Sequence, residues 1–213
     1  MKKLHIFIET SVPTSKRKVG LYTNEYYFVE QYLRFLIPEI SESDYDITDV
    51  GGKDKLRMFD NAMKQNTEDG DVNLVIFDSD EPATGGGFKS RCDEINSLKS
   101  ELGIDFSLFL FPNNKDDGAF ENLLLNIVNP KHKGILECFK GYEMCLRGHD
   151  PDERIYETPN RKAEIYSYIT TFKHSRKQRE RIKGGDWDFC NTEYWCLDTP
   201  YVEPLKEFLM EHV

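Results

Sequence analysis

The chain has 213 residues, of which 38% are hydrophobic and 13% aromatic, so it can build a sizeable core and is not a disordered chain. It carries 28 Lys and Arg against 38 Asp and Glu, and the formal net charge of -10 excludes a generally basic nucleic-acid coat. No apolar run reaches the roughly 20 residues that a membrane helix needs, so we expect a cytoplasmic protein without a membrane partner. The five cysteines form no C-x-x-C pair, which favours free, buried thiols over a disulfide scaffold.

The first half of the chain alternates predicted strands with predicted helices. Short apolar runs indicate strands at 4–8, 45–50, 72–77 and 106–111. Helices are predicted between them, at 25–37, 53–64 and 89–102. This alternation predicts an α/β fold with a mostly parallel sheet, and the nearly continuous apolar strands indicate helices on both faces of the sheet.

From about residue 119 the pattern is helical. Helices are predicted at 119–128, 134–146, 160–172 and 201–212. We therefore expect an α/β core at residues 1–128 and a mostly helical C-terminal extension at 129–213, packed on the core. The segment 147–159 is rich in Asp, Pro, Gly and Glu and is the best candidate for a hinge or loop. Trp187 and Trp195 are expected to be packing anchors rather than a surface for base stacking.

Acidic residues follow three of the predicted strands. Glu9 follows the first, Asp78 and Asp80 follow the third, and Glu121 comes after the fourth. Because the carboxyl ends of parallel strands share one edge, these side chains are expected to meet where ligands usually bind. In an extended segment Asp78 and Asp80 would point to the same side, and paired carboxylates call for a hard cation such as Mg²⁺ or Mn²⁺. The alternative is that they only hydrogen-bond the local backbone.

Basic residues are concentrated in the segment 161–183, which has eight Lys and Arg against two Glu. This segment is either a solvated helix surface or a contact for a phosphate backbone. Two lysines at predicted helix starts are further candidates to face phosphate, one of them after the glycine-rich stretch 85–87. That stretch lacks P-loop spacing, and it is either a flexible loop or a source of free backbone N–H groups. The candidate nucleic-acid-binding residues are Lys53, Lys89, Lys162, Arg176, Lys177, Arg179 and Arg181.

Several of these features resemble the TOPRIM domain. They are Ile-Phe-Ile-Glu at 6–9, the predicted helix that follows, Val-Gly-Gly-Lys at 50–53 and Asp-Ser-Asp at 78–80. That domain occurs in topoisomerases, bacterial primases, ribonuclease-maturation nucleases and overcoming-lysogenization-defect nucleases. The segment 111–125 further resembles an uncharacterised bacterial family of stand-alone TOPRIM-like proteins. The resemblance to TOPRIM covers about residues 1–125 and implies a Rossmann-type sheet flanked by helices.

The resemblance also implies roles for the acidic residues. Glu9 would be a metal ligand or general acid/base, Asp78 and Asp80 would be the Mg²⁺-binding pair, and Glu121 would hold a second ion. Glu25 is available for the acidic position that opens the first helix of the family.

These features together predict a Mg²⁺- or Mn²⁺-dependent nuclease, or a related phosphodiester enzyme, acting on DNA or RNA. A second hypothesis is a catalytically silent module that binds nucleic acid or a protein partner. It is favoured by the net charge and by Thr10, which stands where the family has a glycine. A third hypothesis keeps the metal and makes the protein a hydrolase of small phosphoesters.

Overall fold

The structure, a computed structural model, describes residues 2–9, 22–149 and 156–213. Thr10 and the middle of the predicted hinge, at 150–155, lie outside these residues. None of the helices in the described ranges is both long enough and apolar enough to cross a membrane.

The sheet consists of four parallel strands in the order β2-β1-β3-β4. Their bounds are Leu4–Ile8 (β1), Tyr45–Asp49 (β2), Val72–Asp78 (β3) and Ser107–Phe111 (β4). The chain runs from β1 outward to β2 and then crosses back to β3 on the other side of β1. This α/β, Rossmann-like arrangement confirms the predicted fold class, and it creates a topological switch point between β1 and β3.

Eight α-helices lie in the described part of the chain. They are α1 (Asn24–Leu36), α2 (Asp60–Glu68), α3 (Phe88–Leu102), α4 (Phe120–Ile127), α5 (Lys133–Arg147), α6 (Arg161–Thr171), α7 (Arg176–Lys183) and α8 (Glu203–Met210). Short 3-10 segments occur at Lys53–Phe59, Pro82–Thr84 and Pro130–His132.

Two helices differ from their sequence-based predictions. The predicted helix at 53–64 is divided into the 3-10 segment Lys53–Phe59 and α2. The residue before the segment is Gly52, which has no side chain to cap it, and a tighter turn lets the N–H of Lys55 donate to the Gly52 carbonyl. Helix α7 was not predicted separately, since Ile182 is its one apolar residue and no apolar stripe marks it. Its start is nevertheless encoded by Ser175, whose side chain accepts from the backbone N–H of Gln178.

The two faces of the sheet bury separate groups of apolar side chains. Ile6 and Ile8 pack on the face covered by α1, α4, α6 and α8, whereas Phe7 packs with α2 and α3 on the other. The first group extends into the C-terminal segment and includes Trp187 and Trp195, which are 3% and 1% exposed. Both tryptophans are therefore packing anchors, as predicted. The division of the chain at residue 128 stays a prediction.

The cysteines are more exposed than expected. Cys138, Cys145 and Cys190 are exposed, and Cys92 and Cys196 are half-buried, so the prediction of buried thiols is wrong. All five are free.

Candidate functional site

A cavity of about 690 Å³ opens at the carboxyl ends of β1 and β3, where the strand order reverses. Open α/β sheets usually bind ligands at this position. Six carboxylate side chains and two basic side chains line the cavity: Glu9, Glu25, Asp78, Asp80, Glu81 and Glu121, with Arg161 and Lys162. The four acidic residues singled out from the sequence therefore do lie around one cavity.

Glu9 is held where β1 ends, beside the glycine turn that follows β2. Its Oε1 accepts from the backbone N–H of Lys53 at 3.2 Å, and the preceding Gly52 has φ +117°, which favours glycine. Its Oε2 is buried and accepts no hydrogen bond from any residue that the structure describes. Burial, and after it the charge of Asp80, raises the pKa of Glu9, while the nearby amides of Lys53 and Asp78 act in the opposite direction. Glu9 is thus a desolvated carboxyl group with one oxygen that has no hydrogen-bond partner among the described residues.

Asp78 is the last residue of β3 and faces the start of α4. Its Oδ1 accepts from the backbone N–H of Phe120 at 2.8 Å. Burial raises its pKa well above the usual range, and the charges of Glu121, Glu25 and Glu9 raise the pKa further. Because neighbouring negative charges repel one another, the carboxyl group of Asp78 is stabilised by a bound proton or by a nearby cation.

Asp80 does not continue the extended strand. It has φ +59°, and its backbone O accepts from the N–H of Gly118 at 2.9 Å. Its Oδ2 accepts from Nη2 of Arg91 at 2.6 Å, and Arg91 itself is 5% exposed. The expectation of an extended chain from Asp78 to Asp80 is therefore wrong, because β3 ends at Asp78 and the chain turns to pair with the loop after β4. Both side chains nevertheless line the cavity. A buried guanidinium neutralises Asp80.

Ser79, between the two aspartates, ties the two loops together. It is fully buried, and its hydroxyl lies 3.1 Å from the carbonyl of Asp116 and 2.9 Å from that of Gly118. This link fixes the loop that leads into α4, and so it sets the position of Glu121 relative to β3. Ser79 was not identified from the sequence as a site residue.

Glu25 and Lys162 complete the acidic cavity. Glu25 lies in the first turn of α1, and burial raises its pKa while the charge of Lys162 lowers it. The Nζ of Lys162 is 4.0 Å from Oε1 of Glu121. Lys162 therefore serves as the local counter-ion of two carboxylates. The neighbouring Arg161, which the sequence did not single out, bonds Glu81 at 2.9 Å.

The glycine-rich stretch after Asp80 is a packed turn, and this corrects both interpretations made from the sequence. The N–H groups of Gly86 and Gly87 donate to the carbonyls of Glu81 and Ser79, so they are not free for a phosphate. A Cβ at Gly86 would lie 2.4 Å from Cβ of Asp80, which shows that the turn is not a loose loop.

The predicted nucleic-acid-binding residues are separated by the fold. Lys53 pairs with Asp54 and Glu94 rather than facing the cavity, and Lys89 is exposed on α3. Among these residues Lys162 lines the acidic cavity. The other four are on α7.

The four residues on α7 have different surroundings. Arg179 donates to the carbonyl of His174 through Nε and Nη2, at 3.1 and 3.0 Å. Arg181 donates to Asp186 at 2.8 Å, so its charge is largely neutralised. Arg176 and Lys177 are exposed.

The acidic cavity offers oxygen ligands in the mode that Mg²⁺ commonly uses. In the ranges described, no three His, Cys, Asp or Glu side chains form a group that could hold a metal ion. Mg²⁺, however, is usually bound by one or two carboxylates, keeps several waters and takes the rest of its ligands from substrate phosphate. The buried, unpaired Oε2 of Glu9 and the crowded carboxyl of Asp78 fit that mode.

Comparison of the chain with protein-family models, curated proteins and solved structures found no match in any of the three.

Proposed function

We propose that the chain is a Mg²⁺- or Mn²⁺-dependent phosphodiester hydrolase of TOPRIM type, acting on DNA or RNA. The observation that carries the proposal is the convergence of Glu9, Glu25, Asp78 and Glu121 on one cavity at the β1/β3 switch point. Burial raises the pKa of Glu9, Glu25 and Asp78, and nearby carboxylates raise these pKa values further, so the cluster is unfavourable without a proton or a cation. Such a cluster is a suitable binding site for a hard divalent cation, which would also coordinate a phosphate of the substrate.

Different residues of the cavity would have different roles in hydrolysis. Asp78 and Glu121 would hold the cation, with Asp80 as a further ligand if it is released from Arg91. Bound Mg²⁺ or Mn²⁺ would polarise the phosphoryl oxygen and favour ionisation of the attacking water. Glu9, with a buried oxygen and a raised pKa, would take up a proton from the attacking water as the new P–O bond forms. The P–O bond to the leaving oxygen would break, and the proton held by Glu9 would pass to that oxygen. Lys162 would attract the phosphate to the mouth of the cavity.

A second candidate function is a catalytically silent binding module. The pairing of Asp80 with the buried Arg91 favours it, because a carboxylate engaged at 2.6 Å is not free to ligate a metal. Such a module would bind its partner equally well with and without divalent ions.

The test is cleavage of labelled single- and double-stranded DNA and RNA, with Mg²⁺, with Mn²⁺ and with chelator. Three variants accompany the wild type: Asp78→Asn, Glu9→Gln and, as a control, Asp93→Asn, which removes an exposed carboxylate on α3 outside the cavity. We expect metal-dependent cleavage that falls by about 100-fold or more in the first two variants, since loss of a proton-transfer group or ligand removes that much rate. The Asp93 variant should match the wild type.

Other outcomes would decide between the remaining functions. Hydrolysis of p-nitrophenyl phosphate without cleavage of any polymer would replace the nuclease by a small-phosphoester hydrolase. Absence of all hydrolysis, with unchanged binding of nucleic acid by Asp78→Asn in chelator and in Mg²⁺, would support the silent module.

A further inference from the structure

A basic groove leads along α6 away from the acidic cavity. Its main part is a cavity of about 570 Å³ between α6 and α7, lined by Tyr166, Phe172, Lys173, Arg179 and Lys183 among others. A smaller cavity of about 330 Å³ connects the two sites. It shares Tyr166 and Lys183 with the basic groove, and Asn160 and Lys162 with the acidic cavity.

The helical repeat of α6 aligns this path. Lys162, Tyr166 and Thr170 are spaced by four residues, so they lie on one face of the helix. The eight helical steps from Lys162 to Thr170 span about 12 Å at the rise of an α-helix. That length corresponds to roughly three or four base steps of a nucleic-acid strand, at about 3.4 Å each.

The charge of the groove is opposite to that of the protein. Lys162, Lys173, Arg179 and Lys183 line the basic groove and its connecting cavity, and none of the described residues that line them is acidic. The whole chain has a net charge of -10, so this is a local reversal. Lys183 does pair with Glu180 at 3.2 Å, but both side chains are well exposed and such pairs contribute little.

The groove is also held in shape. Arg179 is oriented by two hydrogen bonds to the carbonyl of His174. The Nε2 of that histidine donates in turn to the carbonyl of Ile169 on α6, at 2.7 Å. The two walls are thus linked through one buried residue, and the positive charge of Arg179 has a defined place.

An aromatic surface lies between the cations. Tyr166 is 39% exposed, and behind it the buried Trp187 supports its ring at a centroid distance of 6.3 Å. Phe172 lines the same groove. Exposed aromatic faces beside cations are the elements with which proteins bind single strands, because every base has a π face.

We propose that this groove binds a single-stranded segment of nucleic acid, with phosphates near Lys173, Arg179 and Lys183 and a base stacked on Tyr166. The strand would then continue along α6 toward the acidic cavity. The direction of the strand rests on the proposed function, whereas binding in the groove does not require catalysis. A duplex is disfavoured, because its bases stack on one another and are not available to Tyr166.

The test measures binding by fluorescence anisotropy in chelator, so that cleavage does not contribute. The probes are short labelled single strands of DNA and RNA, the matching duplexes, and free nucleoside monophosphates as competitors. We expect a single strand to bind about tenfold more tightly than the duplex, and Tyr166→Ala to weaken binding of the single strand about tenfold. Tyr166→Phe, which keeps the ring, should bind like the wild type.

A matched pair of double variants distinguishes phosphate contacts in the groove from a general electrostatic attraction by the basic residues of α7. Lys173→Gln with Lys183→Gln removes two charges from the groove, and Arg176→Gln with Lys177→Gln removes two charges from the exposed side of α7. The first should reduce the slope of log affinity against log salt by about 1.4, which is about 0.7 for each phosphate contact. The second should leave the slope nearly unchanged.

Each of the following results would overturn the groove proposal: a duplex bound as tightly as the single strand, unchanged binding by Tyr166→Ala, or equal effects of the two double variants. Binding of free nucleotides without any gain from a polymer would also overturn it, in favour of a small-molecule site. The proposed hydrolase activity can be rejected independently of the groove. Single-strand binding that depends on Tyr166, with no cleavage in Mg²⁺ or Mn²⁺, rejects the hydrolase and leaves the groove.

Discussion

Asp78 and Asp80 are two residues apart, but their carboxyl groups are in opposite electrostatic surroundings. Asp80 is paired with the buried guanidinium of Arg91. Asp78 is desolvated and lies among the charges of Glu9, Glu25 and Glu121. At the residue scale, the acidic cavity therefore has one neutralised carboxylate and one whose ionisation the fold opposes. The second is the better candidate for a group that awaits a cation.

This difference predicts a pH-dependent effect of Asp78→Asn on stability. An acid whose pKa is raised on folding holds its proton more readily in the folded state, so the wild type loses stability as the pH rises above the unfolded pKa of about 4. Asn has no such charge and can still accept the N–H of Phe120. We expect the variant to unfold at a higher denaturant concentration than the wild type at neutral pH, measured with chelator present.

The advantage of Asp78→Asn should shrink as the pH falls and should vanish below about 4, where the wild-type carboxyl is protonated in both the folded and the unfolded state. Asp93→Asn, at an exposed position on α3, serves as the control and should show no such trend. A variant that is less stable than the wild type at neutral pH would contradict the electrostatic account of Asp78.

At the scale of the elements, the turn between β3 and α3 is a rigid support for the site. Ser79 joins it to the loop before α4, and Gly87 donates to the carbonyl of Ser79 at 2.8 Å. Gly86 is packed so closely that a Cβ would lie 2.7 Å from the Ser79 carbonyl oxygen. The glycine is required here because backbone and side chains of neighbouring residues occupy the space.

The packing of this turn predicts opposite effects for the same substitution at two glycines. Gly86→Ala should destabilise the protein by about 1–3 kcal/mol, since it overpacks a site that cannot yield freely. Gly141→Ala, at an exposed position inside α5 where an added Cβ would meet no atom of the described residues within 4 Å, should stabilise it by about 0.5–1 kcal/mol. Urea denaturation of both variants measures the two effects. Equal changes at the two positions would show that the turn relaxes around the added methyl group.

At the scale of the whole molecule, the C-terminal extension supplies one wall of the main core. Tyr168, Trp195 and Leu205 are buried in the same apolar cluster as Ile8 and Phe28. The connection is also polar, and one side chain of α1 makes two of its hydrogen bonds. Oε1 of Gln31 accepts from the N–H of Phe189 at 2.7 Å, and its Nε2 donates to Asp186 at 2.9 Å.

This shared core predicts that a fragment of residues 1–128 does not fold alone. Removal of the extension would expose the apolar sides of α1 and α4, which are buried in the whole chain. We expect the fragment to lack a cooperative thermal transition and to bind a dye for exposed apolar surface, with the full chain as the reference. A fragment that unfolds cooperatively near the temperature of the full chain would show that residues 1–128 form an independent domain.

The strands and most helices could be predicted because their signals are local. The runs that became β1, β3 and β4 are almost continuously apolar, and in the structure their residues are buried on both faces of the sheet. Helix α7 shows the limit of this reasoning, since its one buried apolar residue makes no stripe and its start depends on a short capping motif. Local periodicity alone could not separate it from the basic segment around it.

The sequence by itself determined the α/β class, the strand bounds to within one residue and the gathering of Glu9, Asp78, Asp80 and Glu121 at one edge, because residues that follow parallel strands share that edge. Only the tertiary structure decided which of these carboxylates are paired with a cationic side chain. The turn at Asp80 directs its carboxylate toward Arg91, with which it forms an ion pair. Contacts between segments far apart in the sequence place Lys162 beside Glu121. Such pairings depend on the direction of each side chain and on residues far away along the chain, and a pattern of residue types carries neither.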